Sequence, residues 1–156
     1  MSVPQGFRPP APAPARRRAN LPAGAVAVVF AGCTAIALLW FVFANVLIGG
    51  PLGEWPAMVW VNVVASLVAA FALVVPAGFL LARYVWAAWT LFGLCLLYVV
   101  VTIVVPMPPG TSFVDHLHFV LGFHKSNGVP AGLAVIFGFL AAIAAAVSAT
   151  VRPSRR

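Results

Sequence analysis

Three histidines and one aspartate lie close together in residues 107 to 128, and these side-chain types could ligate a metal ion. The four residues are Asp115, His116, His118 and His124. On a helix, Asp115 and His118 would share one face, whereas His116 and His124 would point to roughly the opposite one. A tetrahedral zinc site needs its ligands to converge on one point, so this spacing argues against a site. We therefore expect no metal and no other cofactor, these four residues being the only metal candidates.

Two cysteines, Cys33 and Cys95, fall near the middle of long apolar runs. A thiol pair could serve redox or metal chemistry, but the pattern places no histidine or carboxylate at that depth. We interpret both thiols as small apolar packing groups. The sequence also has no phosphate-binding glycine loop, nucleophile elbow, zinc-binding helix motif or acid pair for hydrolysis. We expect no enzyme activity.

Uncharged polar residues also interrupt the apolar runs, and they fall toward one side of the membrane. They are Asn45, Asn62, Ser66, Tyr98 and Thr102. At a helical rise of ~1.5 Å per residue, all of them belong to the outer half of the bilayer. Two interpretations stay open. The side chains either form hydrogen bonds between helices, or line the floor of an outward-facing polar pocket.

The composition explains which elements must position these residues. Hydrophobic residues make up 63% of the 156 residues and charged residues only 7%, whereas soluble domains carry about 25% charged residues. Between Pro56 and Pro106 the sole charged residue is Arg83, and one membrane crossing needs ~20 apolar residues. We predict an all-α membrane protein in which four transmembrane helices form an up-down bundle.

The bundle is expected to be one domain of residues 21 to 152, with spans at about 24 to 48, 56 to 82, 85 to 105 and 129 to 151. Proline and glycine clusters mark the ends of these spans. The second span has two candidate ends, Val75 and Ala82, because Pro76 either kinks or stops a helix.

Small residues repeat at four-residue spacing in the first and fourth spans. The two stripes are Ala27, Ala31 and Ala35 in the first span, and Ala134, Gly138 and Ala142 in the fourth. Small side chains let two helix backbones approach closely within a membrane. We predict that the two spans pack against each other through these stripes.

A short interfacial helix is predicted in the third loop, at about residues 113 to 123. Ser112 precedes Asp115 by three residues, which is the spacing of a capping box. Apolar residues at helical spacing are expected to form the buried face: Phe113, Leu117, Val120 and Leu121. The dipeptide Asn127-Gly128 would then end the loop, and Pro130 would lie in the first turn of the last span.

The net charge of +7 is distributed as membrane topology requires rather than as a nucleic-acid surface. Arginines that flank the spans fall on one side: Arg16, Arg17, Arg18, Arg83 and Arg152. The positive-inside rule then places both termini in the cytoplasm of a cell-membrane protein. Residues 1 to 20 are expected to be a disordered Pro/Arg-rich cytoplasmic tail, and residues 153 to 156 a basic cytoplasmic end.

A cleaved lipoprotein signal is the alternative interpretation of the first apolar run, because Ala31-Gly32-Cys33 follows a basic cluster. The apolar run continues past Cys33, so a membrane span is favoured.

For function, the sequence favours a non-enzymatic accessory or scaffold subunit that acts through helix packing. Its partners would be the lipid bilayer and either another membrane protein or further copies of the chain, with no nucleic acid. The second hypothesis is a small transporter or ligand-binding membrane protein that uses the outward-facing polar pocket.

Overall fold

The computed structural model describes residues 18–51, 54–104, 110, 112–123 and 125–151, which form five helices and no strand. Four helices are long and apolar enough to cross a bilayer. These are α1 (Leu21–Gly49), α2 (Ala57–Leu81), α3 (Val85–Val104) and α5 (Lys125–Thr150). The short helix α4 (Phe113–Leu121) lies between α3 and α5 in the chain. The predicted fold class, a four-span helical membrane bundle with a short helix in the third loop, is confirmed.

Two proline positions distinguish the observed helices from the predicted spans. Helix α2 continues through Pro76 to Leu81. The observed end is therefore nearer to the candidate end at Ala82 than to the one at Val75. Helix α5 begins at Lys125, and Pro130 therefore lies inside it rather than in its first turn. The predicted stop at Asn127-Gly128 is wrong for the same reason, because Gly128 belongs to the helix and serves a packing role described below.

The four spans form a ring in which each helix has two neighbours. Helix α1 packs against α2 and α5, and α3 packs against the same two helices. The contact between α1 and α5 is the most extensive, and that between α2 and α3 is the least extensive of the four. Each neighbouring pair of spans is either successive in the chain or consists of the first and the last span, so neighbours run antiparallel in an up-down arrangement.

Small residues fill the interior of this ring. All six predicted stripe residues are buried: Ala27, Ala31 and Ala35 on α1, and Ala134, Gly138 and Ala142 on α5. A Cβ atom placed on Gly138 would lie 3.4 Å from Cγ2 of Val99 and 3.7 Å from Cγ2 of Thr34. The stripe on α5 therefore faces both α3 and α1. Large apolar side chains such as Phe71, which is 69% exposed, point outward, where lipid would surround them.

The end of the bundle at the α2–α3 turn, here called the Arg83 end, is held by residues 18 to 20. The Ala19 N–H donates to the Arg83 carbonyl at 3.1 Å, and Arg83 Nε donates back to the Ala19 carbonyl at 3.4 Å. On the other side, the Asn20 N–H donates to the Ser148 carbonyl at 2.9 Å, and Ser148 Oγ donates to the Asn20 carbonyl at 3.1 Å. These bonds fix the start of α1 between the α2–α3 turn and the end of α5.

The predicted topology anchors lie partly at this end. Arg18 is exposed and Arg83 is half-buried, with a positive φ of 66° that shapes the turn. Arg16, Arg17 and Arg152 lie outside the described residues, as does most of the predicted tail.

Candidate functional site

A cavity of about 540 Å³ lies between α2 and α3, in the half of the bundle opposite the Arg83 end. We call this half the α4 end, because α4 covers it. The α2 wall consists of Ala57, Met58, Val61, Asn62, Ala65, Ser66 and Ala69, and the α3 wall of Tyr98, Val101 and Thr102. The remaining lining residues are Phe41, Phe119, Val120 and Ala131. The cavity therefore occupies the gap left by the least closely packed pair of helices.

The structure brings together four of the five polar residues singled out in the sequence. Asn62 and Ser66 are one turn apart on α2, and Tyr98 and Thr102 are one turn apart on α3, so each pair lies on one helix face. Asn45 is not among them. Its Nδ2 donates to the Phe41 carbonyl at 2.8 Å within α1, so its polar group is used locally.

The two polar side chains on the α2 wall have no hydrogen-bond partner among the described residues. Within the described part of the chain, neither the Asn62 amide nor the Ser66 hydroxyl makes a hydrogen bond. Polar groups on an apolar wall are normally paired with the protein, with water or with a ligand. Both residues line the cavity, so a molecule in the cavity would be within reach of their hydrogen-bonding groups.

None of the described lining residues is charged, and none is a histidine or a cysteine. Alanine, valine, methionine and phenylalanine side chains make up the rest of the wall. The cavity can thus offer hydrogen bonds and apolar contact, but neither a counter-charge nor a nucleophilic thiol or imidazole.

Helix α4 forms the roof of the cavity through Phe119 and Val120. It begins with half of the predicted capping box, since the Asp115 N–H donates to Ser112 Oγ at 3.1 Å. The Asp115 carboxylate accepts from Ser112 Oγ, at 2.6 Å, in place of the expected Ser112 backbone N–H. The buried face, however, differs from the prediction. His116 and Val120 are the buried residues of α4, whereas Phe113 and Leu121 are exposed.

A hydrogen bond explains why a histidine rather than a phenylalanine faces inward. His116 is 1% exposed, and its Nε2 lies 2.7 Å from the Thr102 carbonyl oxygen. A carbonyl only accepts, so Nε2 must carry the proton. The Thr102 carbonyl would ordinarily bond to the N–H of residue 106, which is a proline and has none. His116 therefore supplies the hydrogen-bond donor that Pro106 lacks at the end of α3.

Two glycines of α5 allow the C-terminal end of α4 to pack closely against α5. A Cβ atom on Gly128 would lie 2.8 Å from the Phe119 carbonyl oxygen, and one on Gly132 would collide with the Val120 carbonyl oxygen. Only glycine fits under these backbone atoms. Sequence reasoning missed this contact, although the four-residue spacing of Gly128 and Gly132 is the small-residue signal found elsewhere in the chain.

The metal candidates do not converge. Asp115 and His118 are exposed, whereas His116 is buried against Thr102. His124 lies outside the described residues. Among the residues that the structure describes, no group of three or more His, Cys, Asp or Glu side chains could hold a metal ion.

Fold and site together define a membrane protein with four helices able to span a bilayer and a cavity in the half of the bundle at the α4 end. Comparison of the chain with protein-family models, with curated proteins and with solved structures finds no match.

Proposed function

We propose that this multi-pass membrane protein binds a small molecule in the cavity between α2 and α3, and that it does so without transforming it. The observation that carries the proposal is the pair of polar side chains, Asn62 and Ser66, which have no hydrogen-bond partner among the described residues and line a space of about 540 Å³. Protein interiors are otherwise close-packed, and unfilled space forfeits contacts. Ligand sites are typically concave, mostly apolar and about 300–1,000 Å³ in volume, with a few polar groups.

The alternative role, an accessory subunit that acts through helix packing, has less support. Ala31 and Gly138 represent the small-residue stripes on which that expectation rested, and both are buried within the chain's own bundle. Neither stripe is thus free to receive a helix from another protein.

We place the cavity in the outer half of a cell membrane. Arg18 and Arg83 lie together at one end of the bundle, and Glu54 and Asp115 belong to the connections at the other end. The positive-inside rule assigns the arginine-bearing end to the cytoplasm. Both termini would then be cytoplasmic, and α4 would lie at the outer surface.

Filling the cavity tests the proposal. Ala69→Phe and Ala65→Phe each add a ring to its wall, whereas Val68→Phe places the same ring at a position that is 63% exposed and outside the cavity. The proteins are purified in mild detergent, and extracted small molecules are identified by mass spectrometry. We expect the native chain and Val68→Phe to retain about one molecule per chain that both filled variants lose.

If the native chain retains no such molecule and the filled variants unfold at a higher temperature, the cavity is only a packing void, and the proposal is wrong.

A further inference from the structure

The cavity has exposed lining residues along the gap between α2 and α3. Val61 on α2 and Val101 on α3 both line it and are 60% and 46% exposed. Met58, in the first turn of α2, also lines it and is 41% exposed, so the exposed lining extends along α2 from its first turn. The two valines therefore mark a mouth between α2 and α3, within the apolar belt that lipid chains would cover.

Helix α4 covers the end of the cavity opposite the Arg83 end. Val120, on the inner face of this helix, is 1% exposed, and the His116–Thr102 hydrogen bond ties the helix to the end of α3. A ligand arriving beneath α4 would have to displace this helix, whereas one arriving between α2 and α3 would meet the side chains of Val61 and Val101.

The wall also selects the chemistry of the ligand. An ion buried without a counter-charge loses its hydration, and none of the described lining residues carries a charge. A pure hydrocarbon would leave the Asn62 amide and the Ser66 hydroxyl unpaired. A ligand with one hydrogen-bonding group at the level of these residues, and an apolar remainder, satisfies both conditions.

We infer that the cavity receives an uncharged amphiphile, with one hydrogen-bonding head group and an apolar chain or ring, and that this molecule enters from the bilayer between Val61 and Val101. The inference rests on the proposed binding function and specifies its ligand class and its route.

Photolabelling of the full chain in liposomes tests the ligand class. Three probes share one diazirine-bearing alkyl chain and differ only at the head, which is a hydroxyl, a phosphate monoester or a hydrogen atom. Labelled peptides are mapped by mass spectrometry. We expect the hydroxyl probe to label the cavity segments, residues 58 to 69 and 98 to 102, at least tenfold more than either other probe.

Removing the polar groups should abolish this preference. The double variant Asn62→Leu with Ser66→Ala should lose most of the labelling by the hydroxyl probe. Thr90→Val is the matched control, because the Thr90 hydroxyl is exposed on α3 and bonds to the Trp86 carbonyl at 3.0 Å. It should label as the native chain does.

The route is tested by rate rather than by extent. Val61→Trp combined with Val101→Trp narrows the mouth and should slow labelling several-fold after the hydroxyl probe is added, with little change in the final level. Val68→Trp with Val100→Trp, on neighbouring exposed positions outside the cavity, should leave the rate unchanged. A rate insensitive to the mouth but raised by His116→Ala would show entry beneath α4 and overturn the lateral route.

The outcomes separate this inference from the function on which it rests. If the phosphate or the headless probe labels the cavity as strongly as the hydroxyl probe, and Ala69→Phe still abolishes labelling, the ligand class is wrong while the binding function stands. If no probe labels the cavity segments more than the lipid-facing segments in the native chain, and cavity filling does not change the labelling, both the ligand class and the proposed binding function are wrong.

Discussion

His116 Nε2 lies 2.7 Å from the carbonyl oxygen of Thr102 and joins the roof of the cavity to one of its walls. The bond exists because Pro106 cannot provide the N–H that would extend α3 by another turn. Thr102 thereby has two roles, since its carbonyl holds α4 and its side chain lines the cavity. The position of the roof and the shape of the cavity are therefore linked through one residue.

Replacing His116 with alanine should release α4 from α3. The substitution leaves the Thr102 carbonyl without a donor and empties a buried site, and an unsatisfied buried polar group alone costs ~1–3 kcal/mol. Hydrogen exchange in lipid nanodiscs should show faster exchange of the amides of residues 116 to 121. His118→Ala is the control, because His118 is exposed on the same helix. Equal protection in both variants would show that the His116–Thr102 hydrogen bond does not hold α4 against α3.

Adding a methyl group at Gly132 should lift α4 from α5. The new Cβ would collide with the Val120 carbonyl oxygen, and backbone cannot move aside as a flexible side chain does. Gly93→Ala on α3 is the matched control, since a Cβ there meets nothing within 4 Å. Alanine should leave the control unchanged or stabilise it by ~1 kcal/mol through helix propensity. Thermal unfolding in detergent should therefore move in opposite directions for the two variants.

The sequence predicts the spans better than it predicts their contacts. Long apolar runs and proline clusters locate four helices, and Ser112 with Asp115 locates the start of α4, because these signals are local in the chain. The inward position of His116 depends on an unpaired carbonyl of another helix, which no periodicity in α4 reveals. The apolar periodicity predicted that Phe113, Leu117 and Leu121 would face inward with Val120. Pairing the Thr102 carbonyl with His116 decided the orientation of α4 instead.

The predicted polar residues illustrate the same limit. Depth along each span places Asn45 beside Asn62 and Tyr98, because rise per residue is all that the sequence supplies. Which way each side chain points depends on the rotation of its helix, which packing decides. Asn45 turned toward the Phe41 carbonyl of its own helix, whereas Asn62 and Tyr98 turned toward the cavity.

Enlarging Ala31 should separate α1 from α5. Its side chain is 1% exposed, so Ala31→Leu forces extra volume into a close-packed interface, at a cost of ~1–3 kcal/mol. The adjacent residue provides the control, since Gly32 is exposed and a Cβ there meets nothing within 4 Å. Chemical unfolding in detergent should show a loss of stability for Ala31→Leu but not for Gly32→Leu. Equal losses would mean that the stripe is not the packing surface.

Removing the Ser148 hydroxyl should weaken the Arg83 end. This residue is 0% exposed and its Oγ donates to the Asn20 carbonyl at 3.1 Å, while its carbonyl accepts from the Asn20 N–H. Ser148→Ala keeps the backbone bond and loses the side-chain bond, so we expect a loss of ~0.5–1.5 kcal/mol in the free energy of unfolding. Thr150→Ala, on the exposed last turn of α5, removes a hydroxyl that bonds only within its own helix. Thr150→Ala should lower the free energy of unfolding by less than Ser148→Ala does.

The orientation of the bundle is tested by reporter fusions, and the outcome decides from which leaflet the cavity would be filled. A reporter that fluoresces only in the cytoplasm should be bright after Arg156 and when inserted at Arg83. It should stay dark when inserted within residues 107 to 128, which the proposed topology places outside. The physical reason is that arginines near span ends are retained on the cytoplasmic side during insertion, and Arg18 and Arg83 lie at the same end. As a control, an export-dependent reporter at the same three sites should give the reverse pattern. Fluorescence within residues 107 to 128 together with dark signals at the other two sites would invert the bundle and place the cavity in the cytoplasmic leaflet.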